Sequence, residues 1–372
     1  MKIVRFETFH VRPRWLLLRI ETDTGLVGWG EPTLEGRAQT VEMAVREMMR
    51  ELIGQDPRRI EHHWQTLHRG GFYRGGPVLT SALSGIEQAL WDILGKHLGV
   101  PIHQLLGGRV RDRIRLYGWS QGEPTGDYVE NVQKSVTAGE FTAYKLVPLP
   151  AMGPIATPAV VDRVVEMVAA VRAKIGRKVD LALDFHGRAS PAMARVLAKQ
   201  LEPYHPFFIE EPVLPGDTAS LIEIARSTTI PIATGERLFT RWQFQELIER
   251  QAVAIVQPDI SHCGGIWEAR KIAAMAESRN IAIAPHCPLG PVALAASLQL
   301  AACTPNFLIQ EHLTLGEGLL VEPFKVVDGH VPVSEQPGLG IELDETALRA
   351  RVFAGDWPVP QFRLPDGTFA EW

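Results

Sequence analysis

From about residue 113 onward the chain alternates between short apolar runs and longer amphipathic stretches. Leu181-Ala182-Leu183 ends at Asp184, and Phe185-His186-Gly187 follows. Phe207-Phe208-Ile209 ends at Glu210, and Ile232-Ala233-Thr234-Gly235 at Glu236. Ile255-Val256-Gln257-Pro258 ends at Asp259, Ile281-Ala282-Ile283-Ala284-Pro285 at His286, and Phe307-Leu308-Ile309-Gln310 at Glu311. These polar tips follow one another at steps of 23 to 27 residues. Each step has room for one strand, one helix and two short loops. Apolar runs this short, bounded by turn signals, are the pattern of strands buried on both faces. With residues 114–117 and 143–147 as two earlier strands, the pattern predicts an α/β fold: a modified TIM barrel of (β/α)7β or (β/α)8 type. Such barrels carry their chemistry at the C-terminal rim, where the tips fall.

The first part of the chain has a different rhythm. Residues 2–31 read as an antiparallel meander, with a turn at Asp23-Thr24-Gly25. Asp56-Pro57 reads as a helix start, and Leu83, Ile86, Leu90 and Ile93 recur at helical spacing until Gly99 and Pro101 stop them. Residues 1–112 are therefore expected to form an α+β capping domain and 113–325 the barrel. Residues 326–372, rich in Pro and Gly, are expected to pack back onto both and complete the cap. Thr157-Pro158 and Ser190-Pro191 mark helix starts, Thr240 to Gln243 fits a capping box, and Gly176 reads as a helix stop.

Composition narrows the partners. Hydrophobic content of 45%, charged content of 22% and a formal net charge of −5 describe an ordinary globular chain without a basic block. Nucleic acid and anionic membranes are not expected as partners. The three cysteines, Cys263, Cys287 and Cys303, form no CxxC pair and no disulfide framework, and the N-terminus has no leader-like apolar core. A cytoplasmic location is the expectation.

Asp184, Glu210 and Glu236 stand on three successive tips. Three carboxylates in one pocket repel one another unless a cation neutralises them, and all-oxygen ligands suit Mg²⁺, with Mn²⁺ the alternative. Asp259 and His286 follow as an acid that can fix a tautomer and a base that can titrate near neutrality. If the chain stays extended after Asp184, His186 points to the same face and stands beside the metal, either as an acid opposite His286 or as support for the metal. Glu311 can orient a hydroxyl or, if protonated, donate to an oxyanion. Lys145 offers a fixed charge to substrate or a salt bridge to a ligand carboxylate. His62 and His63 lie in a charged helical stretch and read as solvated, and His97, His103, His205 and His262 have no motif around them. A divalent metal, a His–Asp base and an opposing acid suit removal of a proton α to a carboxylate with loss of a β-hydroxyl, giving a 2-keto-3-deoxy acid.

The motifs around these residues carry a resemblance. Leu183-Asp184-Phe185-His186-Gly187-Arg188, Phe208-Ile209-Glu210-Glu211-Pro212, Gly235-Glu236-Arg237, Gln257-Pro258-Asp259-Ile260-Ser261-His262 and Ala284-Pro285-His286-Cys287-Pro288 are similar to those of the enolase superfamily, mandelate racemase subgroup. So is Gly71-Phe72-Tyr73-Arg74-Gly75-Gly76-Pro77. The resemblance spans the chain. It implies Mg²⁺ on Asp184, Glu210 and Glu236, His286 with Asp259 as the base at C2, His186 as proton donor to the leaving 3-hydroxyl, and Glu311 on the substrate carboxylate side. It implies a sugar-acid substrate, galactonate or a close aldonate, with cap residues Trp15, Tyr73 and Arg74 at the pocket. It also implies a homo-oligomer. Where the subgroup's racemases have Lys-x-Lys, this chain reads Lys145-Leu146-Val147, so the second lysine is absent. A racemase, epimerase or cycloisomerase on the same scaffold is the alternative, and a barrel that only binds is a third reading.

Overall fold

The computed structural model describes residues 1–119, 126–137 and 140–372. Three antiparallel strands open the chain: β1 (Ile3–Val11), β2 (Trp15–Thr22) and β3 (Val27–Gly30). Helices α1 (Ala38–Leu52), α2 (Ile60–Arg69) and α3 (Gly76–Leu98) follow. Strand β2 is apolar on both faces because both are buried. Leu16, Leu18 and Ile20 pack against α1 and α3, while Trp15 and Leu17 join the larger core shared with the barrel. Strand β3 lies directly on α3. A Cβ at Gly30 would fall 1.8 Å from the carbonyl oxygen of Gly85, so no larger residue fits.

After a short helix α4 (Ile102–Leu105) and strand β4 (Arg113–Arg115), strands and helices alternate. The order is β5 (Gly118–Trp119), α5 (Gly126–Thr137), β6 (Ala143–Leu146), α6 (Pro158–Ile175), β7 (Asp180–Asp184) and α7 (Pro191–Leu201). Then come β8 (Ile209–Glu210), α8 (Thr218–Ser227), β9 (Ile232–Thr234), α9 (Thr240–Glu249), β10 (Ile255–Val256), α10 (Ile266–Glu277), β11 (Ala282–Ile283) and α11 (Pro291–Cys303). Strands β5 to β11 form one parallel sheet in sequence order. Residues 307–310 close it. Leu308 N donates to Ile283 O at 2.8 Å on one side, and Gln310 N to Arg115 O at 2.9 Å on the other. Seven strand–helix units and a final strand make this the (β/α)7β form.

The first barrel strand differs from expectation. Residues 113–115 pair antiparallel with β12 (His330–Pro332), and parallel pairing begins only at Leu116 and β5. Ile114 and Val331 are paired and buried, in one cluster with Ala293, Leu294 and Leu298 of α11. Beyond it the C-terminal segment touches the cap. Val352 bridges Val11, Leu339 N donates to Asp92, and helix α12 (Glu345–Ala350) places Arg349 against Glu7.

Local signals were realised unevenly. Ser190 accepts from Met193 N, but Thr157 caps without a side-chain bond. Helix α2 starts at Ile60, after a turn in which Asp56 Oδ1 accepts from Arg58 N, rather than at Asp56-Pro57. At α9 the cap residue is Phe239, not Thr240, yet Gln243 does reach back to its N–H. His63, read as solvated, is buried with Nε2 at 2.7 Å from Asp56 O.

Candidate active site

Strand periodicity aims the site residues. Ala143, Ala182, Phe208, Ala284 and Ile309 form the small interior core of the barrel, while Leu146, Leu183, Ile209 and Ile232 face the helices. Lys145, Asp184, Glu210, His286 and Glu311 each stand two positions after one of those interior residues. On a strand that spacing returns to the same face, so they point into the barrel mouth. Glu236 reaches the same space by another route. Gly235 before it has φ +142°, and a Cβ there would lie 2.9 Å from Gln257 N.

The carboxylates of Asp184, Glu210 and Glu236 each offer an oxygen within 4.8 Å of the others. Asp184 and Glu210 are fully buried. Burial pushes the Glu210 carboxyl well above its ordinary range, helped by the charge of Asp184, and burial also raises Glu236. For Asp184 burial acts upward too, but His186 and Lys145 outweigh it and hold the group low. Asp184 Oδ2 and Glu236 Oε2 are buried without a well-aligned hydrogen-bond donor. Crowded hard oxygens with unmet acceptor capacity fit a divalent cation. Adjacent Glu211 has a different task. With φ +43° it turns away, and its carboxylate is taken up by Thr234 Oγ1, Gly235 N and Arg237.

Lys145 is sealed among acids. Its Nζ lies 2.9 Å from Glu210, 2.7 Å from Glu311 and 3.3 Å from Asp184, above the ring of Trp119. Of the two readings, the ion pair with ligand carboxylates is the one its contacts display. Glu311 Oε2 also accepts from Cys287 N at 2.9 Å. Burial favours protonating Glu311, but Lys145 and His286 reverse this and keep the carboxyl below its usual range, so it stands as an acceptor and not a donor.

His286 Nδ1 lies 2.8 Å from Asp259 Oδ2, with its Nε2 at 3.4 Å from Glu236. Asp259 Oδ1 accepts from Ser261 N at 2.7 Å. Burial alone would lower the imidazole, but Glu236, Glu311 and Asp259 together raise it well above its ordinary value. His186 sits at the other side of the cluster, Nε2 3.0 Å from Asp184 Oδ2. The extended chain expected there is not formed. His186 adopts φ +51°, its N–H donates to Asp184 Oδ1 at 2.9 Å, and the side chain meets Asp184 through this tight turn.

The cap residues behave differently from the barrel tips. Trp15 is buried in the core, with the Arg14 guanidinium 5.5 Å from its ring. Tyr73, 87% exposed, and Arg74 stand in solvent on the loop before α3, and neither makes a hydrogen bond or ion pair with the carboxylates among the described contacts. Two neighbours of the site escaped the sequence reading. Trp372 packs on His186 with ring centroids 5.2 Å apart, and nothing in local sequence ties residue 372 to residue 186. His262 approaches Asp259 to 3.7 Å. Its spacing of three from that acid was the available signal.

A closed (β/α)7β barrel under an α+β cap, with three rim carboxylates between two histidines, defines a class of proteins. The chain belongs to the mandelate racemase/muconate lactonizing enzyme family of the enolase superfamily. Residues 4–107 match the mandelate racemase/muconate lactonizing enzyme N-terminal domain and residues 127–347 the enolase C-terminal domain-like family. Among its relatives, the D-galactonate dehydratase of Ralstonia nicotianae is 50% identical over 383 residues, and that of Pectobacterium atrosepticum 49%, each covering 100% of both chains. The crystal structure of an enolase from Agrobacterium radiobacter, with Na and L-malate bound, agrees with a TM-score of 0.93 at 31% identity and covers 100% of each chain. A member of the enolase superfamily from Salmonella Typhimurium gives a TM-score of 0.88 at 29% identity, covering 94% of this chain and 97% of that one. No helix among the described residues is long and apolar enough to cross a membrane.

Proposed function

We propose that this protein is a Mg²⁺-dependent hydro-lyase that dehydrates D-galactonate to the 2-keto-3-deoxy acid. The observation that carries the reading is two imidazoles flanking a three-carboxylate cluster, His186 on Asp184 and His286 on Glu236. The full-length likeness to D-galactonate dehydratases supplies the substrate.

Asp184, Glu210 and Glu236 would hold the cation, which when bound supplies positive charge where the substrate carboxylate becomes more negative. His286 takes the C2 proton at Nε2, which needs the neutral ring; of the charges that raise it, the largest, Glu236, would be neutralised by the cation. Its Nδ1–H stays bonded to Asp259, so the free nitrogen is the basic one in the neutral tautomer, and the imidazolium that forms faces a buried carboxylate. His186 gives a proton to the departing 3-hydroxyl. Its Nε2, 3.0 Å from Asp184 Oδ2, is the nitrogen that faces the cluster. Lys145 keeps Glu210 and Glu311 in place between these groups. Trp372 packs against one side of the His186 ring.

The test is incubation with D-galactonate and Mg²⁺ in D₂O, followed by a 2-keto-acid assay and NMR of C2–H. Keto acid formed with dependence on Mg²⁺ supports the reading. C2–H exchange without keto acid would instead mark an isomerase, and inert galactonate would reject the substrate.

A further inference from the structure

On β10 the step from barrel interior to barrel mouth leads to an amide instead of an acid or a histidine. Ile255 lies in the interior core with Ala143, Phe208 and Ile309. Two positions on, and so on the same face, stands Gln257. Lys145, Glu210 and Glu311 hold the equivalent places on the second, fourth and last strands of the barrel, and Gln257 holds that of the sixth. Alternate strands of such a barrel supply the four side chains of one layer. The Lys145 ammonium, 2.9 Å from Glu210 and 2.7 Å from Glu311, ties three of the four together. Gln257 is the remaining one, on the strand across the barrel from Lys145.

Its side chain is fully buried, and among the described residues neither Oε1 nor Nε2 has a hydrogen-bond partner. A buried carboxamide left unpaired is costly, and native folds leave few. The backbone at this position is fully engaged: Gln257 N donates to Thr234 O at 2.9 Å, and Val256 pairs with Thr234 and Ile283. The fold therefore uses the main chain of Gln257 and leaves its amide idle. The same layer is short of donors. An ammonium has three protons, and Lys145 faces three carboxylates, those of Glu210, Glu311 and Asp184, at 2.7 to 3.3 Å. It has none left for a substrate anion, and ionised carboxylates only accept. Gln257 brings two uncommitted N–H groups and an acceptor oxygen, and it adds no charge to a mouth crowded with acids. A carboxamide presents donor and acceptor side by side, which matches a carboxylate oxygen and the neighbouring hydroxyl of a 2-hydroxy acid.

We propose that Gln257 is a substrate-binding residue: its Nε2–H donates to a carboxylate oxygen of the sugar acid, and its Oε1 accepts from the C2 hydroxyl. The inference rests on the 2-hydroxy-acid substrate of the proposed function. It assigns the carboxylate end of that substrate a neutral partner in the layer of Lys145, Glu210 and Glu311.

The test uses the full chain with Mg²⁺. Gln257→Met keeps the length of the side chain and removes both polar ends. Glycolate, the bare 2-hydroxy-carboxylate, is titrated in excess MgCl₂ and read by melting temperature, and its Kd in Gln257→Met should be at least about tenfold weaker than in the parent. With D-galactonate, kcat/KM should fall about thirtyfold. Without any ligand the variant should melt at or above the parental temperature, because it lacks the unpaired amide, whereas a residue serving only the fold would leave it less stable. Its Kd for Mg²⁺ alone should stay within about twofold of the parent's. Parental glycolate affinity in Gln257→Met, or a parent that does not bind glycolate, would overturn the proposal. So would a loss of Mg²⁺ affinity as large as the loss for glycolate, which would make Gln257 a cation ligand instead. If Gln257→Met does not fold, Gln257→Leu carries the same readouts. A parent that binds glycolate through Gln257 but leaves D-galactonate unchanged would overturn the proposed substrate and support the contact.

Discussion

Lys145 offers the most direct measure of how strained the carboxylate cluster is. Its Nζ is the shared counter-charge of Glu210, Glu311 and Asp184 at 2.7 to 3.3 Å, and all four groups are buried. Lys145→Met keeps most of the stem volume and deletes the charge. Each contact is worth several kcal/mol in Coulomb energy, about 4 kcal/mol at 4 Å in an effective dielectric of 20, but desolvation of the ammonium cancels much of this. Breaking a buried pair from one side costs roughly 3–5 kcal/mol, because the remaining charges are left uncompensated. For a chain of 372 residues melting as one unit, an unfolding entropy of about 2.1 cal/mol/K per residue converts this to a drop of about 4–6 °C. The assay is a thermal melt of parent and variant in EDTA, repeated in excess MgCl₂. Without the lysine the cation meets one more uncompensated negative charge and binds more tightly. At a hundred times Kd a bound ion contributes ~2.7 kcal/mol, so the deficit should shrink when Mg²⁺ is added. A variant that melts within about 1 °C of the parent in EDTA, or a deficit unchanged by Mg²⁺, would refute the picture of a lysine compensating a cation site.

Three other outcomes are expected. His286→Asn should abolish turnover while Mg²⁺ still raises the melting temperature, and keto acid formed at the parental rate would remove His286 as the base. His186→Asn should stop water loss and leave C2–H exchange in D₂O running, and loss of both with a lowered melting temperature would show that the turn had collapsed instead. Glu87 supplies a pH test of the cap–barrel joint. Burial raises its carboxyl from 4.5 to about 8, against the opposing N–H groups of Trp267 and Ile266. A raised acid contributes its stability below the unfolded pKa and loses it as pH climbs from about 4.5 through about 8, on the order of 4 kcal/mol in all. Urea unfolding of Glu87→Gln should therefore fall less steeply between pH 5 and 8 than the parent's, and parallel curves would show that Glu87 is ionised throughout.

Much of the site was legible because a parallel barrel converts sequence rhythm into position. Asp184, Glu210, His286 and Glu311 were found by their place at the end of apolar runs, and each lies at the barrel mouth. Reasoning from local geometry failed at particular residues. His186 was placed by assuming an extended chain, and it reaches Asp184 through a left-handed turn that carries no signal in residue type. The expected first barrel strand, 114–117, holds at Leu116, which pairs parallel with Gln310, and at Tyr117, which lies in the barrel interior; it fails at Ile114, which pairs antiparallel with Val331, a difference that local sequence does not show. Tyr73 and Arg74 belong to a loop whose direction no periodicity records, and it points into solvent.

By itself the sequence determined the architecture and the metal-type cluster, since both depend on local alternation repeated at a near-constant step. Tertiary structure alone decided what surrounds that cluster. Only folding could decide that Glu211 belongs to Arg237 while its neighbour Glu210 belongs to Lys145. The same holds for Trp372 reaching His186, and for Ser81 in the cap holding the histidine beside Asp259. The physical reason is distance along the chain. Backbone periodicity sets the face a side chain takes, but the partner it meets across tens or hundreds of residues is set by how whole layers close on one another.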